Sequence, residues 1–408
     1  MSMSHASHIP TCASDLAAAI KDCYEAATPL YPVGGGTSLD YGVPAKSEGV
    51  NLSLAQLNRI IDYPARDMTI TVEAGVTMQQ LAAALASEGQ QLPIDVPQSA
   101  KATIGGVVAT NWNGPRRYGL GTVRDYVIGI SAVDGRGMAF KGGGRVVKNV
   151  AGYDFCKLLT GSCGTLGVIS QVTMRVRPLA QKAALVVAAL NDWNTVEQFL
   201  AAVSNSQATP TSIVLVAGSD WVKVGVLNDI RSASTTLAYL VVGVEGTTRE
   251  VDWMVSQLVR ELRAVDSAAT IATLDAPSLL PAIIEWPAGG DSPLVIKAHV
   301  RPSGVTAFAR AVREVDPQCS FLSHAGSGTL FVRFSAFPKD GLSRTLISKL
   351  QPAAAALGGH IVILRNPSGT EMTQQSVFGG NEGTLELMRA VKRNFDPKGI
   401  LNPGRFVV

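Results

Sequence analysis

The amino-acid sequence predicts an α+β fold arranged in two domains. Its 408 residues exceed the usual span of a single core. Stretches of strict apolar–polar alternation are interleaved with stretches of helical period. The texture also changes after Pro178: glycine-rich motifs dominate before it, ordinary strand and helix patterns after it.

Taken in order, Ser14 is placed to cap a first helix whose apolar face is Leu16, Ala19, Ile20, Cys23 and Ala27. Pro29 and Pro32 end it, and a glycine cluster follows. Met68, Ile70, Val72 and Ala74 alternate with Thr69, Thr71 and Glu73, the pattern of a half-buried strand. Gly75 breaks that strand, Thr77 caps a helix running through Glu88, and Gly89 stops it. Tyr126–Val133 and Met138–Lys141 flank an Asp134-Gly135 turn signal and read as a hairpin. Val168, Val172, Met174 and Val176 alternate with Gln171, Thr173, Arg175 and Arg177 in a further strand, ended by Pro178.

Beyond that point the predicted strands are Leu185–Leu190, Ile213–Ala217, Leu237–Val244, Leu294–Val300, a stretch around Phe321, Leu330–Phe334 and His360–Leu364. The predicted helices are Thr195–Val203, Arg249–Leu262, Val305–Val312 and Leu342–Ala356. An antiparallel sheet covered by helices, built from two related βαββ-type units, accounts for this alternation. A last helix, Gly383–Phe395, ends at Asp396-Pro397-Lys398-Gly399, and the tail Ile400–Val408 is expected to return to the first domain. The domains are therefore drawn at 1–180 and 181–380, with 381–408 as the returning segment.

Composition narrows the function. A 46% hydrophobic content with 16% charged residues describes a globular chain with a large core. A net charge of +3, with no basic stripe interleaved with aromatics, argues against nucleic acid. Cys12, Cys23, Cys156, Cys163 and Cys319 form no CxxC pair, which argues against iron–sulfur clusters and structural zinc. Residues 1–10 lack the cationic start and apolar run of a signal peptide, and stretches such as Leu237–Val244 are too short to span a bilayer. The expected location is the cytoplasm, with membrane association only through a partner.

Three motifs carry chemistry. In Pro32-Val33-Gly34-Gly35-Gly36-Thr37-Ser38, consecutive glycines let backbone N–H groups converge on an anion, and two hydroxyls add donors. A flexible surface turn uses the same residue types, and neither the P-loop nor GxGxxG fits. The second motif joins Pro97-Gln98-Ser99-Ala100 to Thr103-Ile104-Gly105-Gly106, Asn111 and Gly114-Pro115-Arg116-Arg117-Tyr118, then Val123-Arg124-Asp125. Arg124 and Asp125 there read as a structural ion pair. The third joins Val147-Lys148-Asn149-Val150-Ala151-Gly152-Tyr153-Asp154 to Gly161-Ser162-Cys163-Gly164-Thr165-Leu166-Gly167-Val168-Ile169.

With these motifs in this order, and Asn402-Pro403-Gly404-Arg405 at the end, the chain resembles the vanillyl-alcohol-oxidase (PCMH-type) FAD-binding family. Within it, the resemblance is to the FAD-binding subunits of glycolate-oxidase-type 2-hydroxyacid dehydrogenases, dense over Tyr31–Pro178 and specific at Phe395–Arg405. The resemblance implies a PCMH-type FAD-binding domain of two α+β subdomains, followed by an antiparallel-sheet cap domain. It also implies that Gly34, Gly35, Gly36, Thr37 and Ser38 hold the FAD pyrophosphate. Thr103, Gly105 and Gly106 would line the phosphates and ribityl chain; Gly161, Ser162 and Gly164 would approach the flavin or its phosphates. Ile169 would meet the adenine end, and Asn402 and Arg405 would brace the isoalloxazine pocket. Relatives with covalent flavin commonly carry a histidine in the first glycine loop. The matching residue here is Gly36, so FAD is expected to be held non-covalently.

For the chemistry itself, FAD accepts a hydride, and the protein must orient the substrate and supply a base. Larger catalytic relatives carry His-x-Gly-Asp-Gly-Asn-Leu-His, whereas this chain reads His324-Ala325-Gly326-Ser327-Gly328-Thr329-Leu330-Phe331. No histidine occurs around Asn366-Pro367-Ser368-Gly369, where a Glu-His-Gly element is expected, so no divalent metal is expected. His324 is the first acid–base candidate and His299 the second, although a lone histidine is more often structural. Lys297 and Arg301 are candidates for holding a substrate carboxylate, with a solvated strand face as the alternative; Arg116 and Arg117 are further ones. The implied partners are a larger FAD-containing catalytic subunit and an iron–sulfur subunit, with a small 2-hydroxyacid as substrate. A self-sufficient FAD-dependent 2-hydroxyacid dehydrogenase and a structural flavoprotein without catalysis are the alternatives.

Overall fold

A computed structural model describes residues 7–45, 47–145, 152–230, 236–379 and 382–406. The chain divides into two compact units. The first comprises Met1–Asn113, Thr122–Leu179 and Gly380–Val408; the second comprises Gly114–Gly121 and Ala180–Gly379.

In the first unit, β1 (Ser7–His8), β2 (Leu30–Val33) and β3 (Val50–Ser53) form a small parallel sheet in the order β1-β3-β2. The other strands are β4 (Ile60–Asp62), β5 (Thr69–Glu73), β6 (Gln90–Gln91), β7 (Val127–Val133), β8 (Ala139–Gly143), β9 (Val168–Arg175) and β10 (Arg177–Pro178). Five of them make an antiparallel sheet, β4-β5-β9-β7-β8, while β6 and β10 pair separately. The alternation read in the sequence is what the sheet needs. Ile70 and Val72 lie opposite Met174 and Val172, and all four are fully buried. Asp134 fixes the β7–β8 turn by accepting the N–H groups of Arg136 and Met138. Thr77 caps the helix Met78–Ala86 in a reciprocal capping box with Gln80.

Two local expectations need correction. Ser14 does not cap the first helix, which runs Ala13–Glu25 behind Cys12; Asp15 instead accepts from Thr11. Asp125 serves Thr122 in a capping box, so its first partner is the backbone of its own short helix rather than Arg124. The stretch Val147–Ala151 lies outside the described residues.

The C-terminal helix Glu382–Phe395 packs Val391 and Phe395 against the first unit's core, to which Ile400 and Leu401 also belong. A buried ion pair anchors it: Lys392 Nζ lies 2.7 Å from Asp396, whose side chain is fully buried. Lys392 also donates to the carbonyls of Thr165 and Leu401, and Asp396 accepts the N–H groups of Ile400 and Leu401. The tail is thereby tied to the loop ahead of β9.

The second unit is one eight-stranded antiparallel sheet. Its strands are β11 (Lys182–Leu190), β12 (Ser212–Ala217), β13 (Ala238–Gly246), β14 (Thr270–Asp275), β15 (Val295–His299), β16 (Ser320–His324), β17 (Thr329–Arg333) and β18 (His360–Arg365). The order is β14-β11-β13-β12-β16-β17-β15-β18. Each half reads βαββαβ, longer by one helix and one strand than the βαββ units expected. The halves join where their second strands pair, Val214 opposite His324 and Ala217 opposite Phe321. The unforeseen strand β14 sits at the sheet edge with its residues only half-buried or exposed, so burial imposes no clear alternation on it. The helix expected at Leu342–Ala356 is instead a wide π-type segment, Ser343–Leu350, followed by a helix, Gln351–Ala356. Pro352, lacking an N–H, removes one rung of the α-ladder at that junction. Among the described residues no helix is long and apolar enough to cross a membrane.

Candidate active site

The first unit holds a cavity of ≈ 580 Å³, within the range that takes a whole cofactor. Gly34–Ser38 leaves the end of β2 along one wall; Thr103, Gly105 and Gly106 line it from the start of the helix Ile104–Thr110. Gly164 and Ile169, and Asn402 and Arg405 from the tail, complete the set of predicted residues that reach it. Gly161 and Ser162 do not line it: the Gly161 N–H is spent on the Val108 carbonyl, and Ser162 is buried behind.

The close approach of the walls explains the glycines. A Cβ on Gly35 would lie 1.6 Å from the Lys101 carbonyl oxygen, and one on Gly34 2.2 Å from Thr103 Oγ1. Gly36 has φ +71°, a conformation that disfavours any side chain.

The electrostatics suit an anion. Among the described residues no aspartate or glutamate lines the cavity, and Arg405 is the one charged side chain there. Arg405 donates to the carbonyls of Leu39 and Tyr41 rather than to a carboxylate in these bonds, and burial pushes its pKa down. Thr103 Oγ1 is buried without a partner, a donor held ready at the cavity wall. Asn402, at φ 46°, donates to the Cys163 carbonyl at 2.8 Å and so fixes the third glycine loop. A glycine cradle, an orphaned hydroxyl and a cation that donates to the carbonyls of Leu39 and Tyr41 fit the pyrophosphate of FAD. Tyr41 and Cys163 also line the cavity; Cys163 lies inside the third motif without having been given a role, and Tyr41 lies in no motif.

The second unit carries a different constellation. His324 on β16 lies opposite Thr329 on β17, Thr329 opposite His299 on β15, and His299 opposite His360 on β18. Residues directly opposite share a face, so these four side chains form one lateral row. Lys297, two positions before His299, shares that face with Phe331 and Leu322 in the next row. Lys297 Nζ sits 5.8 Å from the Phe331 ring centre, and His324 meets the same ring edge-on at 5.3 Å. His324 is 3% exposed, and neither ring nitrogen has a hydrogen-bond partner. Burial, then Lys297 and Arg117, push its pKa down to about 3; His299 is held at about 3 by burial first and the same cations next.

Arg117 comes from Gly114–Gly121, which belongs to this unit. The Gly119 N–H donates to the Thr211 carbonyl, and Arg116 pairs with Glu245 at 3.0 Å. The Tyr118 ring covers Gly326, where a Cβ would meet it at 2.5 Å. Arg301 is not brought to this group; it is exposed, and its Nε donates to the Leu357 carbonyl. Sequence reasoning missed Thr329 and Phe331 as neighbours of His324, and His360 as the neighbour of His299, because cross-strand register decides their proximity.

Comparisons with known proteins agree with both units. Residues 5–143 match the FAD binding domain family, and residues 299–406 match the C-terminal domain of FAD linked oxidases. The fold is that of p-cresol methylhydroxylase, with a TM-score of 0.73 over 98% of this chain and 88% of that one at 17% identity. This is an FAD-dependent oxidoreductase of the PCMH type. The chain is 26% identical to glycolate oxidase subunit GlcD of Bacillus subtilis, over 94% of this chain and 84% of that protein. It is 28% identical to a D-lactate dehydrogenase of Archaeoglobus fulgidus, over 98% and 90%. Identity rises to 40% with glycolate oxidase subunit GlcE of Escherichia coli, over 37% of this chain and 43% of that one. The chain belongs to the FAD-linked 2-hydroxyacid dehydrogenase and oxidase family.

Proposed function

We propose that the chain is an FAD-binding subunit of a cytoplasmic, glycolate-oxidase-type 2-hydroxyacid dehydrogenase and that it keeps a reactive centre of its own. The observation that carries the second half is His324: a buried imidazole with both nitrogens unpartnered, on a face shared with Lys297. An orphaned buried polar group is costly unless something fills its hydrogen-bonding capacity, and a substrate hydroxyl does so.

Gly34–Ser38 and Thr103 would hold the FAD phosphates, without a covalent bond at Gly36; Arg405, which the resemblance puts at the isoalloxazine pocket, would add its charge to the same cavity. Bound FAD supplies the hydride acceptor. Lys297, assisted by Arg117, pairs with the substrate carboxylate, and His324 takes the hydroxyl proton on a ring nitrogen. The carboxylate offsets the cations that depress His324 and so raises its proton affinity when substrate is present. Neutral alcohols provide no such charge, which favours hydroxyacids as a class.

Electrons leave through an iron–sulfur subunit in complex with a larger FAD-containing subunit; the 40% identity to a glycolate oxidase subunit, over 37% of this chain, supports a multi-subunit enzyme. A second reading, an accessory flavin subunit, draws on Ser327, Thr329 and Phe331, which stand where catalytic relatives are expected to have Asp, Asn and His. Anaerobic mixing of the isolated FAD-loaded chain with glycolate or D-lactate separates the two. Bleaching of the flavin band supports the reactive centre; bleaching only when a larger subunit is present leaves the accessory role.

A further inference from the structure

Once on His324, the substrate hydroxyl proton has to leave a buried position. We propose that Thr329, His299 and His360 form its path to solvent, a row of hydroxyl and imidazole groups crossing the second βαββαβ half to its edge strand. The inference rests on the assignment of His324 as the base.

The register places the four residues side by side on one face. Thr329 Oγ1 and His299 Nδ1 are 3.2 Å apart, within hydrogen-bonding distance, whereas neither His324 nitrogen has a partner in the resting protein, so the first transfer requires the His324 ring to turn to the Thr329 hydroxyl opposite it. The His299 and His360 rings follow at 5.6 Å between centres. The inner pair is buried and exposure grows from there outward: His324 is 3% and Thr329 1% exposed, His299 is half-buried, and His360 is exposed on β18, the last strand of the sheet. The charged groups acting on the two inner rings are Lys297, on β15 itself, and Arg117, from the helix Arg117–Leu120; no carboxylate contributes at either ring among the described residues. A proton on His324 therefore sits in the most buried position beside two cations. Lys297 and Arg117 act on His299 as well, whereas only Lys297 acts on His360, so it is the step onto that exposed ring that relieves desolvation and repulsion together.

The balance is simple. With FAD bound as the hydride acceptor, the C2 hydrogen would leave with both electrons, the hydroxyl proton would go to His324 and along the row to water, and the substrate would become a 2-oxoacid. Thr329 can do this because a hydroxyl both accepts and donates, which valine cannot.

The test compares Thr329→Val, Thr329→Ser, His299→Gln and His324→Gln, each loaded with FAD and mixed anaerobically with the hydroxyacid in ordinary and heavy water. Thr329→Val and His299→Gln should slow flavin reduction by roughly 10- to 100-fold, at or below the lower end of general acid–base contributions. Their solvent isotope effect should rise, added imidazole should restore the rate, and Thr329→Ser should stay near wild type with FAD uptake unchanged throughout. Independently of turnover, the His299 ring-nitrogen NMR signals of the resting protein should move in Thr329→Val and hold in Thr329→Ser. Wild-type rates and isotope effects in Thr329→Val and His299→Gln, beside an inactive His324→Gln, would overturn the path and leave the base. Reduction of His324→Gln at the wild-type rate, or no reduction of the wild type, would remove the base and the path with it.

Discussion

Acidification tests the buried imidazoles directly. His324 and His299 are held at about 3, against 6.5 for a free ring. Both are thus neutral when folded and protonated when unfolded between those values, so the unfolded state binds more protons. Stability is full above 6.5 and is lost as pH falls toward 3. Each unit of pH below 6.5 costs about 1.4 kcal/mol per ring, so at pH 5 each ring removes about 2 kcal/mol. The carboxylates with lowered pKa, such as Asp125 and Asp154, start from 3.8 and lose their contribution as pH falls past that value, below the pH 5.0 at which the titrations stop. Urea titrations at pH 7.5, 6.0 and 5.0 read the effect through tryptophan fluorescence. Trp193, Trp221, Trp253 and Trp286 all lie in the second unit, against Trp112 in the first. His324→Gln should remove about half of the pH dependence attributed to the two rings. A slope between pH 6.5 and 5 identical in wild type and His324→Gln would refute the buried, uncompensated imidazole.

Two further predictions concern the first unit. Lys392→Met strands the buried Asp396 carboxylate and should cost about 3–5 kcal/mol, seen as a lower midpoint in denaturation of the FAD-free chain; because Asp396 also holds Ile400 and Leu401 ahead of Asn402 and Arg405, FAD affinity should fall with it. Unchanged stability would mean the pair is dispensable. Gly35→Ala forces a Cβ to within 1.6 Å of the Lys101 carbonyl. Overpacking of about 1–3 kcal/mol corresponds to roughly tenfold weaker FAD binding per 1.4 kcal/mol, read by quenching of flavin fluorescence. Wild-type affinity in Gly35→Ala would move the phosphates elsewhere.

The parts of this fold written in local pattern were legible. The alternation through Ile70 and Val72 and through Val172 and Met174 needs only a half-buried sheet, and these strands pair as that pattern demands. The glycine loop Gly34–Gly36 was legible because side-chain-free backbone is itself the chemical signal. The imidazole row was not: Lys297, His299 and His324 read as isolated residues until β15, β16, β17 and β18 are set in register. His360 carries no motif at all. Arg117 stood within a glycine-rich motif, yet nothing local says that Gly114–Gly121 belongs with the second unit, since the bonds that hold it run to Thr211 and Glu245, far along the chain. The edge strand β14 and the π-type segment before Pro352 were missed for the related reason that exposure and backbone bookkeeping leave little periodic trace.

The most direct test of the central claim is flavin reduction by the isolated, FAD-loaded chain with glycolate or D-lactate carrying hydrogen or deuterium at C2, followed anaerobically in a rapid mixer. The account predicts bleaching, formation of the 2-oxoacid, and a several-fold slower reaction with the deuterated substrate. A flavin that stays oxidised with both substrates would contradict a reactive centre in this chain.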